Sequence, residues 1–246
     1  MWQLLYQLAA PKNFYFQTRA WLPVFGCAAV LFLIVGILLG LFWVPPDYQQ
    51  GDAFRIIYVH VPAAFLSLAL YTGMGFLAIL LLIWRIKLAG LMLPIVAQIG
   101  ASMSFLALVT GSIWGKPMWG TWWIWDARLT SELILLLLYL AILAAQYAFT
   151  NSERGEKVTA VLTLVGLIDL PIIHYSVYWW NTLHQGATLS IFTKPKIAAV
   201  MFYPLLSTLM GFIFFCIWVV LHQTRMRLLW RERRQRWVFK LFTGEE

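Results

Sequence analysis

The sequence predicts an all-α integral membrane protein of six transmembrane helices, with both termini cytoplasmic and a tryptophan-rich loop on the opposite face. Three observations carry this prediction. First, 62% of the 246 residues are hydrophobic and only 11% are charged, whereas a soluble domain carries about a quarter charged residues. Second, the chain offers six apolar stretches near the roughly 20 residues that a helical span requires. Third, its basic residues are distributed unequally between the two sides that six spans create.

The first span, Trp21–Val44, lies behind a polar start with no convincing signal-peptidase site, and is expected to stay as an uncleaved anchor. Pro45-Pro46 ends it. Gly51-Asp52 suggests a turn before the IIYVHVP stretch, and the second span follows at Val61–Trp84. Leu93–Ile113 forms the third. The segment Trp114–Asp126 then packs five tryptophans, two glycines, one proline and one aspartate into a short run. Its glycines and proline argue for a loop rather than a regular helix. Leu129–Phe149 is the fourth span, with Asp126 as its expected N-cap. Thr150 or Asn151 and Gly155 mark the next loop. Val158–Ile173 and Ile197–Leu221 complete the set, and residues 222–246 form a basic tail. Residues 1–246 thus read as a single membrane domain, with no room for a sizeable soluble one. Long continuous apolar runs exclude a β-barrel.

The formal net charge of +8 could suggest nucleic acid, but the distribution argues for topology instead. Lys12, Arg19, Arg85, Lys87, Arg154, Lys157 and the cluster from Arg225 to Lys240 all fall on one side. Arg55, Lys116, Arg128, Lys194 and Lys196 fall on the other. The positive-inside rule places the first side, with both termini, in the cytoplasm. The tail is a topology anchor that meets anionic membrane lipid, and no nucleic-acid partner is expected. Cys27 and Cys216 lie within spans and read as packing residues.

The outside loops hold the residues suited to chemistry. His60 begins the second span and His184 lies in YWWNTLHQG. His174 ends the fifth span, and His222 sits at the cytoplasmic end of the sixth. Two imidazoles without thiolates or a carboxylate cluster make a poor zinc or copper site. Two imidazoles beside an aromatic platform suit a haem, whose iron takes two axial nitrogens. Interfacial histidines bonded to backbone are the plainer alternative. Trp2, Trp21, Trp43, Trp84, Trp218, Trp230 and Trp237 fit an interfacial belt, and Trp179 and Trp180 also fit it. A belt does not require the repeated spacing of Trp114, Trp119, Trp122, Trp123 and Trp125. Gly115 and Gly120 would let backbone approach a ligand closely. Arg128 and Arg55 could pair with haem propionates or with lipid phosphate. Glu132 reads as an i,i+4 partner of Arg128. Asp169 is an intramembrane acid with no assigned partner. The run Gly111–Pro117 is one residue short of a Walker loop and has proline after lysine, so no ATP hydrolysis is expected.

The run W-G-x-P-x-W-G-T-x-W-x-W-D-x-R-L-T resembles the signature of the WWD haem-handling proteins. With the RIIYVHVPAA and LPIIHYSVYWWNTLHQG segments, the resemblance is to the CcmC family of bacterial cytochrome c maturation, and it covers the whole chain. It implies haem b as ligand, His60 and His184 as axial ligands to iron, and Trp114, Trp119, Trp122, Trp123, Trp125 and Asp126 as the haem-binding loop. It further implies an inner-membrane protein that presents haem on the periplasmic face to the chaperone CcmE. CcmD and the ATP-using pair CcmA and CcmB would be its other partners. The resemblance implies a haem-binding and haem-delivery protein rather than an enzyme, with lyase-like assistance of attachment as a variant. A membrane redox subunit, a haem translocator and a ligand-free assembly subunit are the competing classes. Histidines at span ends and nearly uniform apolar spans speak against the first two.

Overall fold

The computed structural model describes residues 10–149, 152–184 and 197–243, and within them the protein is built from helices. Trp2, Thr150, Asn151, Lys194 and Lys196, each singled out above, lie outside the described residues. A short helix α1 (Pro11–Thr18) precedes α2 (Trp21–Leu38), which runs into a π-helical turn, Leu39–Trp43. A 3₁₀ turn, Asp52–Ile56, leads into α3 (Ile57–Leu82), followed by α4 (Lys87–Trp119) and α5 (Ala127–Ala148). Then come α6 (Ser152–Gly166), α7 (Asp169–Trp179), α8 (Ala199–Arg231) and α9 (Arg236–Thr243). Six stretches are long and apolar enough to cross a membrane: Trp21–Trp43, Asp52–Leu82, Lys87–Trp119, Ala127–Ala148, Ser152–Trp179 and Ala199–Arg231. These are the six expected spans.

Several boundaries differ from expectation, each for a local reason. The helix of the second span starts at Ile57, so His60 sits inside α3 and not at its mouth. The π turn before it leaves the Gly40 carbonyl for Arg55, whose Nη1 donates to it at 2.6 Å. The fifth span is two helices, because Pro171 has no N–H to continue the ladder of α6 and is tolerated only in the first turn of a new helix. The last helix runs past Leu221 to Arg231 because its arginines find partners. Arg225 donates to the Tyr15 carbonyl and, at 3.1 Å, to Thr18 Oγ1. Arg231 Nη1 meets Glu156 Oε1 at 2.7 Å.

The helices pair closely. α3 lies along α4, α2 lies along α8, and α5 packs against α4, α6 and α7. The main core joins Tyr71, Met74, Leu93, Leu135, Tyr139 and Ile173, all fully buried. The α2–α8 crossing depends on glycines. A Cβ on Gly36 would stand 2.7 Å from the Thr208 nitrogen, and one on Gly211 would stand 2.8 Å from the Leu33 nitrogen. Small residues that bring backbones together are the usual basis of helix association in lipid.

Candidate functional site

His60 occupies the opening turns of α3 with its ring against α4, and is only 9% exposed. The contact is possible because Gly111 has no side chain: a Cβ there would stand 3.0 Å from His60 Cε1. His60 Nδ1 lies 3.0 Å from the Ala107 carbonyl and 3.1 Å from Thr110 Oγ1. The Thr110 hydroxyl donates to the Leu106 carbonyl at 2.6 Å, so its oxygen accepts from the imidazole. Both partners of Nδ1 are therefore acceptors. The network assigns the proton to Nδ1 and leaves Nε2 with a free lone pair, the arrangement found in histidines that ligate metals.

His184 follows α7 and is reached through a short relay. Its backbone N–H donates to Thr182 Oγ1 at 3.1 Å, and the Thr182 hydroxyl donates to Asp126 Oδ2. The other oxygen, Asp126 Oδ1, accepts from the Leu129 N–H at 2.8 Å and caps α5, as expected. One carboxylate thus ties the tryptophan segment, the start of α5 and the His184 segment together. The His60 and His184 ring centroids are 6.2 Å apart, with their planes at 39°. Trp114 meets His60 edge-on at 5.7 Å, and Trp119 lies 6.3 Å from His184. Trp114 is oriented by its indole N–H, which donates to Gln50 Oε1 at 2.9 Å.

The expectation that Trp114–Asp126 is a loop requires correction. α4 continues through Gly115 and Pro117 to Trp119, and only Gly120–Asp126 lie outside helix. Pro117 lacks the N–H that would bond the Ile113 carbonyl, so α4 passes it with one ladder bond missing close to its end. The stop is Gly120, which adopts φ 76° and returns its N–H to the Lys116 carbonyl at 3.1 Å. Trp114 and Trp119 are consequently fixed on a helix. Trp122 and Trp125 are 57% and 76% exposed on the loop. Trp123 is partly buried, and its indole N–H has no partner among the described residues.

The two arginines are engaged within the fold. Arg55 binds Asp52 Oδ1 at 2.8 Å as well as Gly40, and Arg128 Nη1 donates to the Ile173 carbonyl at 2.6 Å. The expected Arg128–Glu132 contact is replaced, since Glu132 Oε1 accepts from Ser104 Oγ at 2.9 Å. His174 is exposed on α7, its ring against Tyr175, and His222 stacks on Trp218 on α8. Neither makes a ring contact with His60 or His184 among the described residues. Gln50, Ala107, Thr110, Gly111 and Thr182 are the site residues that sequence reasoning missed. Ala107, Thr110 and Gly111 share one helical face by their spacing, which is the signal that could have found three of them.

An all-helical chain with six spans long and apolar enough to cross a membrane, and with two imidazoles 6.2 Å apart beside Trp114 and Trp119, defines a multi-pass membrane protein. The comparisons make the class particular. A profile described as CcmC: Heme exporter protein C matches residues 4–239, and the chain belongs to that family. Heme exporter protein C of Haemophilus influenzae is 48% identical over 238 residues, covering 97% of each chain. The protein of that name from Escherichia coli K12 is 46% identical over 242 residues, covering 98% of this chain and 97% of its own. Its counterpart in Paracoccus denitrificans is 40% identical over 231 residues, covering 94% and 95%.

Proposed function

We propose that this chain binds haem b at the periplasmic face of the bacterial inner membrane and delivers it to the chaperone CcmE during cytochrome c maturation. The observation that carries the reading is the separation of the two imidazoles. A first-row metal–imidazole bond is about 2 Å, so two imidazoles on opposite sides of one iron place their ring centres roughly 6 Å apart. The His60 and His184 centroids are 6.2 Å apart. No cluster of three or more His, Cys, Asp and Glu exists among the described residues, so the donor set favours a metal that brings its own equatorial ligands.

The remaining residues fit a carried haem. His60 is held by Ala107 and Thr110, and Trp114 and Trp119 flank the pair. The Trp123 indole N–H, without a partner among the described residues, is a donor for a carboxylate such as a propionate, a role Arg55 and Arg128 would share. The exposed Trp122 and Trp125 leave a side open to a partner. The basic residues on the other side of the membrane support a periplasmic site by the positive-inside rule. Delivery to CcmE, and membership of an assembly with CcmD, CcmA and CcmB, extend what the relatives' name conveys. In this reading the chain is a carrier, and any use of ATP belongs to CcmA and CcmB.

The test is an absorption spectrum of the protein purified after coexpression with the chaperone, beside His60→Ala and His184→Ala. A low-spin haem spectrum that is lost or altered in both variants is expected. An unchanged spectrum in both would overturn the assignment of these ligands.

A further inference from the structure

At the end of the bundle opposite the histidines, α8 carries Arg225, Arg227 and Arg231, and their surroundings differ. Arg225 is buried and turned to α1, where it donates to the Tyr15 carbonyl and to Thr18 Oγ1. Arg231 meets the Glu156 carboxylate at 2.7 Å. Arg227 is half-buried and meets only neutral groups among the described residues. Its Nη2 lies 3.4 Å from Gln98 Oε1 on α4 and 3.4 Å from the Tyr147 hydroxyl oxygen on α5. Both contacts are longer than a strong hydrogen bond. A guanidinium has five N–H donors and a permanent charge. Most of those donors lack a partner here, and no carboxylate among the described residues offsets the charge.

Tyr147 is in a similar position. Its oxygen accepts from Arg227 and, at 3.3 Å, from Gln98 Nε2. The hydroxyl is left to donate to a third group, and no acceptor for it stands among the described residues. The Tyr147 side chain is outward, with the residue 65% exposed. α5 and α8 both pack on α4, and Gln98 joins them through these contacts.

The depth of the trio suits a lipid headgroup. At 1.5 Å of rise per residue, Arg227 stands about 18 Å from the middle of α8, and Tyr147 about 14 Å from the middle of α5. The hydrocarbon core reaches about 15 Å from the bilayer centre. For helices centred in the membrane, the three polar groups lie where phosphates begin. Inward from them the surface is open to lipid. Ser102 and Phe105 follow Gln98 on one face of α4 and are exposed, and Leu140 is exposed two turns before Tyr147 on α5.

We propose that Arg227, Tyr147 and Gln98 form a binding site for the phosphate of an anionic phospholipid. The free N–H groups of Arg227 and the Tyr147 hydroxyl donate to phosphate oxygens, while Gln98 holds both side chains in place. The acyl chains lie inward, against Phe105 and Leu140. An anionic lipid offsets the Arg227 charge, whereas a zwitterionic headgroup brings a second cation beside it. Basic pockets between membrane helices recognise headgroups in this way.

The experiment is native mass spectrometry of the full-length protein in detergent, titrated with dioleoyl phosphatidylglycerol or with dioleoyl phosphatidylcholine. Wild-type protein is expected to retain phosphatidylglycerol in preference to phosphatidylcholine. Arg227→Gln should weaken that retention about fivefold, the effect of one cation near an anionic leaflet. Tyr147→Phe, which removes the outward donor but keeps the ring, should weaken it by less. Arg233→Gln removes a charge from the exposed tail and should leave it near wild type. Millimolar inorganic phosphate should not displace the lipid. An unchanged affinity in Arg227→Gln overturns the proposal, and so does one in Tyr147→Phe, which decides the matter should Arg227→Gln fail to fold. Equal losses in Arg233→Gln and Arg227→Gln overturn it too, since attraction to the basic tail would then explain the binding. Equal retention of the two lipids, or displacement by inorganic phosphate, overturns the choice of an anionic lipid as ligand.

Discussion

The hydroxyl of Thr182 donates to Asp126 Oδ2 across 56 positions of sequence. The same carboxylate caps α5 through Leu129. This one side chain ties the segment that carries His184 to the start of α5, directly after the tryptophan segment. Asp126→Ala should therefore do two things. Loss of the cap costs about 1 kcal/mol, seen as a lower Tm. Loss of the Thr182 link lowers haem content by more than that stability change explains. Asp126→Asn keeps an acceptor for Leu129 and should restore most of the Tm.

Gly111 makes room for His60. Gly111→Val places branched carbon where a single Cβ already comes within 3.0 Å of the imidazole. The ring has to leave its Ala107 and Thr110 partners. Haem affinity should fall about tenfold or more, equivalent to about 1.4 kcal/mol per tenfold. Haem titration followed by absorbance checks this. Affinity equal to wild type would mean that the ring seat is not needed.

Gly120 ends α4 with φ 76°. A side chain in that conformation costs about 1–2 kcal/mol. Gly120→Val should lower the Tm and increase protease cleavage between Trp119 and Asp126, with the far end of the bundle unaffected.

At the opposite end, Arg231 and the buried Glu156 form a 2.7 Å pair joining α8 to α6. Arg231→Ala strands a carboxylate that is 7% exposed. The expected loss is roughly 2 kcal/mol, less than for a fully enclosed pair because the Arg231 side chain is 28% exposed. Removing both partners as Arg231→Met with Glu156→Leu should cost less than the single change. Thermal unfolding in detergent distinguishes the two.

These predictions separate what is legible in the sequence from what is not. The six spans are legible because lipid requires long apolar runs. The Asp126 cap is legible because an aspartate stands directly before a helical run. The nearness of His60 and His184, 6.2 Å between ring centroids, is legible because few other histidines stand in the segments on their side of the spans. The helical seat of Trp114 and Trp119 is hidden, because Gly115 and Pro117 read as breakers although tertiary packing carries α4 past them. The split between α6 and α7 is hidden inside an apolar stretch, where Pro171 leaves no polar mark. The Thr182 link and the Gln50 contact to Trp114 join residues 56 and 64 positions apart, and no local pattern encodes such contacts.

The two histidines are held by different means. His60 is seated in the opening turn of α3, with its ring nitrogen committed to α4. His184 stands on a short segment beyond α7, secured by a threonine and an aspartate. In the carrier proposed above, one half of the grip is thus part of the helix pairing itself, and the other hangs from a link between side chains outside it.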